Sequence, residues 1–301
     1  MSRTTPHTVT AGLDGSPESL AAAEWAAREA ELRGLPLELV HVWQPAPDPL
    51  AQAPLLGAET LQHWSERVPR EALQGLRQRH PDLPMTAVQR TGAPGDALAE
   101  AAKDAALLVL GSRGLSGVGG FLVGSVGMAV VARTEQPVVL VRAGEQATDT
   151  HVEGVSGAAP FRPVVLGLDA EHPDDSVIGF AFDAAVRRGT ALRVVHGWNL
   201  PSYYVYGLAA DPEFHQELAR PQADALTAVL GPWRDKFPSV EVVEECLVGS
   251  PATHLVDASR RASLVVVGRR IRRSAMGAHI GPVTHAVLHH ATSPVAVVAH
   301  S

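Results

Sequence analysis

The feature that most constrains this chain is an internal repeat. Val9-Thr10-Ala11-Gly12-Leu13-Asp14 recurs 155 positions later as Val164-Val165-Leu166-Gly167-Leu168-Asp169. At the same offset Leu39-Val40-His41-Val42-Trp43 returns as Val194-Val195-His196-Gly197-Trp198. Further along, Gly92-Ala93-Pro94 matches Gly249-Ser250-Pro251, Gly124 matches Gly281, and Pro137-Val138 matches Pro294-Val295, now at an offset of 157. The matches keep their order and drift by only two positions, which is the signature of a duplication. The period is far longer than that of a solenoid repeat, so each copy is the size of a domain.

Within each copy, short β-branched runs alternate with longer stretches of helical spacing. Val9–Leu13, Leu37–Trp43, Met85–Gln89, Leu107–Leu110 and Val138–Val141 read as strands in the first copy. Their counterparts are Val164–Leu168, Leu192–Trp198, Val240–Leu247, Leu264–Val267 and Val295–Val298. Several are apolar nearly throughout, as strands of a parallel sheet covered on both faces must be. Ser16 as N-cap, Pro17 at the first helical position and Glu18 in the first turn open a helix, which Gly34 stops. Its expected buried stripe is Leu20, Ala23, Ala27 and Ala30. A second helix is expected near Glu59–His80, kinked or split at Pro69, and a third over Asp96–Ala106 with Ala105 on its apolar face. The expected fold is α/β: two tandem doubly wound, Rossmann-like domains, each a five-stranded parallel sheet flanked by helices. The expected bounds are residues 1–143 and 162–301, joined by a polar, Gly- and Ser-containing linker at 144–161.

Charge and cysteine usage narrow the function. A formal net charge of -7 argues against a general nucleic-acid binder. The single cysteine, Cys246, excludes an intrachain disulfide and any cysteine-built metal centre. The segment from Met1 to His7 is polar, and apolar runs elsewhere are broken by Gly, Arg or Pro, so a cytoplasmic chain with no membrane partner is expected.

The segment that carries chemistry follows the strand Leu107–Leu110. It runs from Gly111, Ser112, Arg113 and Gly114 through Gly117, Gly119 and Gly120 to Gly124, Ser125 and Val126, where a helix-compatible run begins. Without a Cβ, glycines let backbone N–H groups approach phosphate oxygens closely. The unpaired N–H groups of the following helix then stabilise the negative charge. Ser125 is expected both to cap that helix and to offer a hydroxyl to phosphate or metal. Asp14 ends the first strand on the same edge, where ligands of open α/β sheets bind. Its carboxylate can accept from ribose hydroxyls or a base amino group, although an Asp in Asp-Gly-Ser also suits an ordinary turn.

These residues resemble the universal stress proteins in their tandem form. The ATP-binding members of that family carry Gly, two residues, Gly, nine residues, Gly, then Ser or Thr, and Gly111, Gly114, Gly124 and Ser125 match at every position. The resemblance extends to Gly12-Leu13-Asp14-Gly15-Ser16, His41-Val42, Gly92-Ala93-Pro94 and Pro137-Val138. It implies ATP with Mg²⁺ alongside. Asp14 and the backbone near Val42 would hold the adenosine part, and Gly12 at the same strand end is counted among the nucleotide-binding residues. Gly114, Gly124, Ser125 and Val126 would hold the phosphates, with Gly111 and Arg113 counted among the nucleotide-binding residues beside them.

The second copy departs from this pattern. Asp169, Gly268 and Gly281 persist, but Ile271 replaces the second motif glycine and Pro282 replaces the serine. Ile resists positive φ and Pro removes a donor. Arg269, Arg270, Arg272 and Arg273 could meet a phosphate by charge; the favoured reading is a solvated or interdomain salt-bridging face. The first loop also lacks machinery for efficient phosphoryl transfer. No Asp or Glu lies between Gly111 and Arg133, Arg113 is the only cation there, and there is no Gly-Lys-Ser/Thr. Holding a nucleotide suits this set better than cleaving it. A slow ATPase or nucleotidyl transferase, and an interaction scaffold that binds no nucleotide, are the alternatives. His285 and His289 have a metal-compatible spacing but read as helix-end histidines; His41 and His196 read as structural, and Tyr203, Tyr204 and Tyr206 as a lid or interface patch. An intramolecular pseudo-dimer is the expected assembly, and whether it pairs further into a homodimer is left open.

Overall fold

The computed structural model describes residues 8–44, 58–112, 124–143, 160–199, 212–271 and 280–301. Two compact units divide the chain, Met1–Ala147 and Thr148–Ser301. The first unit runs β1 (Thr8–Leu13), α1 (Pro17–Arg33), β2 (Leu37–Trp43), α2 (Ala58–Arg79), β3 (Met85–Thr91), α3 (Pro94–Ala102), β4 (Ala105–Ser112), α4 (Ser125–Arg133) and β5 (Val138–Arg142). Its strands are parallel and ordered β3-β2-β1-β4-β5. The second unit repeats the plan as β6 (Val164–Gly167), α5 (Asp175–Arg188), β7 (Leu192–Trp198), α6 (Pro212–Lys236), β8 (Val242–Val248), α7 (Pro251–Ser259), β9 (Leu264–Arg270), α8 (Pro282–His290) and β10 (Val295–His300). Its order is β8-β7-β6-β9-β10, again parallel. In each unit the winding reverses beside the first strand, between β1 and β4 or between β6 and β9. That reversal opens a crevice at the strands' carboxyl ends.

Why these strands are central follows from their side chains. Leu107, Leu108, Val109, Leu37 and Leu39 are fully buried, and every residue of β5 is buried. Each such aliphatic side chain contributes about 1.5–3 kcal/mol on leaving water. Edge strands β3 and β8 are only partly buried. Helix α1 starts and stops as its sequence dictates. The Ser16 hydroxyl accepts from the Ser19 N–H, Pro17 opens the helix, and Gly34 closes it at φ 62°. Among the described residues, no helix is long and apolar enough to cross a membrane.

Three local expectations are corrected. Leu20 lies on the outer face of α1, 46% exposed, because the buried stripe is the Ala22, Ala23, Ala26, Ala27 and Ala30 surface. Helix α3 stops at Ala102; Lys103 and Asp104 are exposed, and Ala105 already belongs to β4. Pro69 sits inside α2 without dividing it.

Candidate functional site

The crevice of the first unit encloses about 290 Å³ and is lined by residues from several strand ends and helix starts. That volume is at the small end of the roughly 300–1,000 Å³ of ligand pockets. Asp14 follows β1, Val42 lies near the end of β2, Leu110 and Gly111 end β4, and Gly124, Ser125, Val126 and Gly127 open α4. Pro94 and Leu98 of α3 add an apolar wall. Thus Gly12, Asp14, Val42, Gly111, Gly124, Ser125 and Val126, each singled out from sequence, line one crevice. Arg113 and Gly114 lie outside the described residues, as do Arg272, Arg273 and the three tyrosines.

At the α4 end the site is built from main chain. Gly124, at φ -60° and ψ 153°, is the N-cap and supplies no side-chain cap. Its carbonyl accepts the first helical bond, from the Met128 N–H at 3.1 Å. The N–H groups of Ser125, Val126 and Gly127 therefore occupy the first turn, where an α-helix leaves its donors without internal acceptors. A Cβ on Gly124 would meet nothing within 4 Å. This corrects the expected role of Ser125: it is the first helical residue, not the cap, so its hydroxyl is not committed to capping. Donors in that position, at the positive end of the helix dipole, suit an anion.

Glycines elsewhere in the crevice serve packing. A Cβ on Gly12 would lie 2.6 Å from Leu110 Cδ2 and 3.1 Å from Leu98 Cδ2; one on Gly111 would strike the α1 backbone at Glu18 and Ser19. These two positions let α1 and α3 press onto the strand ends. Asp14 is exposed, and its Oδ1 accepts from both the N–H (3.0 Å) and the hydroxyl (2.5 Å) of Ser16. Of the described residues lining the crevice, Asp14 alone carries a charge. Beside Ser112 at the end of β5 sits Arg142, a buried cation that sequence reasoning missed. Burial lowers its pKa to about 10, which leaves it charged at neutral pH.

His41 and His196 are each tied to the end of the first strand of their unit. His41 Nδ1 donates to the Leu13 carbonyl at 2.9 Å, and His196 Nδ1 donates to that of Leu168 at 3.0 Å. The rings of His285 and His289 meet with centroids 4.4 Å apart, tilted at 38°. Among the described residues, the three-ligand cluster close enough to share a metal ion is instead Asp169, Glu171 and His172, all exposed.

The second unit's corresponding edge is filled by its own side chains. Thr284, which replaces Gly127, donates its hydroxyl to the Gly268 carbonyl at 2.8 Å. The His300 ring lies against Gly268, where an added Cβ would be 2.9 Å from Nε2. Gly197, which replaces Val42, has Pro251 packed so closely that a Cβ there would be 2.6 Å from Pro251 Cα. Gly281 caps α8 as Gly124 caps α4, but Pro282 removes the first N–H. Arg269 is 4% exposed, so the arginines here do not form a uniformly solvated face.

A sequence profile described as "Universal stress protein family" matches residues 6–142 and again 160–299. A universal stress protein of Mycolicibacterium smegmatis is 30% identical over 301 residues, covering 98% of this chain and 97% of that one. A universal stress protein of Mycobacterium tuberculosis is 30% identical over 319 residues, covering 98% of each. The crystal structure of a universal stress protein from Archaeoglobus fulgidus superposes with a TM-score of 0.69 at 17% identity, covering 98% of both chains, a likeness of fold.

Proposed function

This chain belongs to the universal stress protein family, and from that premise we propose that its first unit holds an adenine nucleotide, making the protein a nucleotide-dependent stress or signalling module. The observation that carries the reading is the bare first turn of α4 opening onto the same crevice as Asp14 and Val42. The N–H groups of Ser125, Val126 and Gly127 would meet phosphate oxygens, with the Ser125 hydroxyl beside them. Asp14 would accept from ribose hydroxyls. The backbone near Val42 and the apolar surfaces of Pro94, Leu98 and Leu110 would take the base. The fit is good for a ligand with one anionic and one flat apolar end.

Mg²⁺, when bound with ATP, would neutralise phosphate charge, and the Ser125 hydroxyl is the crevice group suited to it at that end. Nothing among the described crevice residues favours cleavage. Asp14 is already held by Ser16, and it belongs to the β1 strand end rather than to the α4 helix start. A base for water would be needed near the phosphates. The self-filled edge of the second unit supports one nucleotide per chain.

Isothermal titration with Mg-ATP tests the reading. Wild type should bind saturably, and Asp14→Ala combined with Gly124→Ala should weaken binding about a hundredfold or more. Absence of saturable heat from the wild-type protein would reject it.

A further inference from the structure

Ser16 does two things with one hydroxyl. Its oxygen accepts from the Ser19 N–H at 3.2 Å, which caps α1. Its proton goes to Asp14 Oδ1 at 2.5 Å, and its own N–H adds a second bond to that oxygen at 3.0 Å. Ser19, 3% exposed, braces the same turn by donating its hydroxyl to the Ser16 carbonyl and accepting from the Asp14 N–H. The carboxylate is thus tied at one oxygen to a helix start that the packing of Gly111 on α1 holds against β4.

The second unit provides a natural contrast. Asp169 is bonded by the Glu171 N–H and faces His172, with no hydroxyl in the arrangement. Its following helix begins later, capped by Asp174, whose Oδ1 accepts from the Ser176 N–H and hydroxyl. There the same two bonds serve only the helix cap. In the first unit they are spent on a carboxylate lining the crevice.

We infer that Ser16 is a positioning residue for nucleotide binding, acting through Asp14 by fixing which way its carboxylate faces. The inference rests on the nucleotide reading above and adds a residue whose hydroxyl, rather than its capping, sets affinity. Gly is nearly as good an N-cap as Ser, so Ser16→Gly separates the two roles: it keeps most of the cap and removes the hydroxyl. Thr keeps both.

The test is the affinity for Mg-ATP of wild type, Ser16→Gly, Ser16→Thr, Asp14→Ala and the Ser16→Gly/Asp14→Ala double variant, with each apo thermal midpoint measured alongside. Ser16→Gly should weaken binding about tenfold with little change in apo midpoint, and Ser16→Thr should restore it to within about twofold. In the Asp14→Ala background the Ser16→Gly change should add nothing, because the two residues act as one unit. Unchanged affinity in Ser16→Gly, or an equal loss with and without Asp14, overturns the inference while leaving the nucleotide reading intact. No saturable binding by wild type overturns both.

Discussion

The two units repeat one fold but hold it together differently, and their carboxyl edges differ as well. In the first, the seam between α1 and the end of α2 is polar. Glu24 takes Arg79 at 2.8 Å, Arg28 at 3.2 Å and His80 at 3.1 Å, while His80 also meets Glu31 at 2.7 Å. In the second, the corresponding seam is aromatic. Phe182, fully buried, stacks on Trp233 and Phe237, and Gly179 stands where Glu24 does, with Trp233 against it. Their carboxyl edges diverge in the opposite sense. The first has a cavity with bare main chain at its helix end and an apolar wall at the other; in the second, Thr284, His300 and Pro251 pack against the strand ends. The lesson is that a duplicated scaffold can leave a crevice at one copy's strand ends and pack the corresponding edge of the other with its own side chains.

Removing the aromatic seam should have the largest effect. Phe182→Ala should destabilise the second unit by about 3–5 kcal/mol, the cost of emptying a large buried aromatic site. Calorimetry should show one transition falling steeply while Mg-ATP affinity stays near wild type. A comparable loss of affinity would break the separation of roles. Next, Asp14→Ala with Gly124→Ala should cost about a hundredfold or more in affinity, about 3 kcal/mol. Asp169→Ala with Gly281→Ala, the matching pair in the second unit, should leave titration heats unchanged. A smaller loss, about tenfold, is expected when the second unit's filler is copied into the first as Gly127→Thr, because a side chain then enters the first turn of α4.

The smallest effect concerns acid. Burial alone would raise the Glu24 carboxyl, but hydrogen bonds from Arg79 and His80, with the charges of Arg79 and Arg28, outweigh it and hold its pKa below 4.5. A carboxylate lowered on folding adds stability above its unfolded value and loses it as pH falls through the folded one. Glu24→Gln should therefore cost roughly 1 kcal/mol near neutrality and flatten the first unit's acid-side loss below pH ~4.5. Chemical denaturation at pH 7 and pH 3 reads this difference; an unchanged difference would show that the clasp contributes nothing.

Much of this was legible from the chain. The repeat, the parallel strands and Asp14, Gly111, Gly124, Ser125 and Val126 follow from apolar runs, strand-end positions and glycine spacing, while Gly12 and Val42 came with the family resemblance. What was misread shares a cause: local pattern without neighbours. Leu20 fits the helical period, yet α1 packs through small alanines, and a leucine at its margin stays outside. Ala105 continues an alanine rhythm, and only the exposed Lys103-Asp104 pair marks the switch to strand. Ser125 matches cap preferences better than Gly124, but placing a cap requires backbone angles. Gly127 carried a signal that went unused, a glycine in a helix's first turn opposite a threonine in the other copy. Arg142 and the approach of His300 to Gly268 had none, since burial and long-range packing decide them.

Native mass spectrometry of the full chain in magnesium and ATP measures the central asymmetry directly. A single nucleotide adduct per chain, lost in Asp14→Ala/Gly124→Ala and retained in Asp169→Ala/Gly281→Ala, is the expected result. Two adducts, or one that survives the first pair of substitutions, would contradict the account.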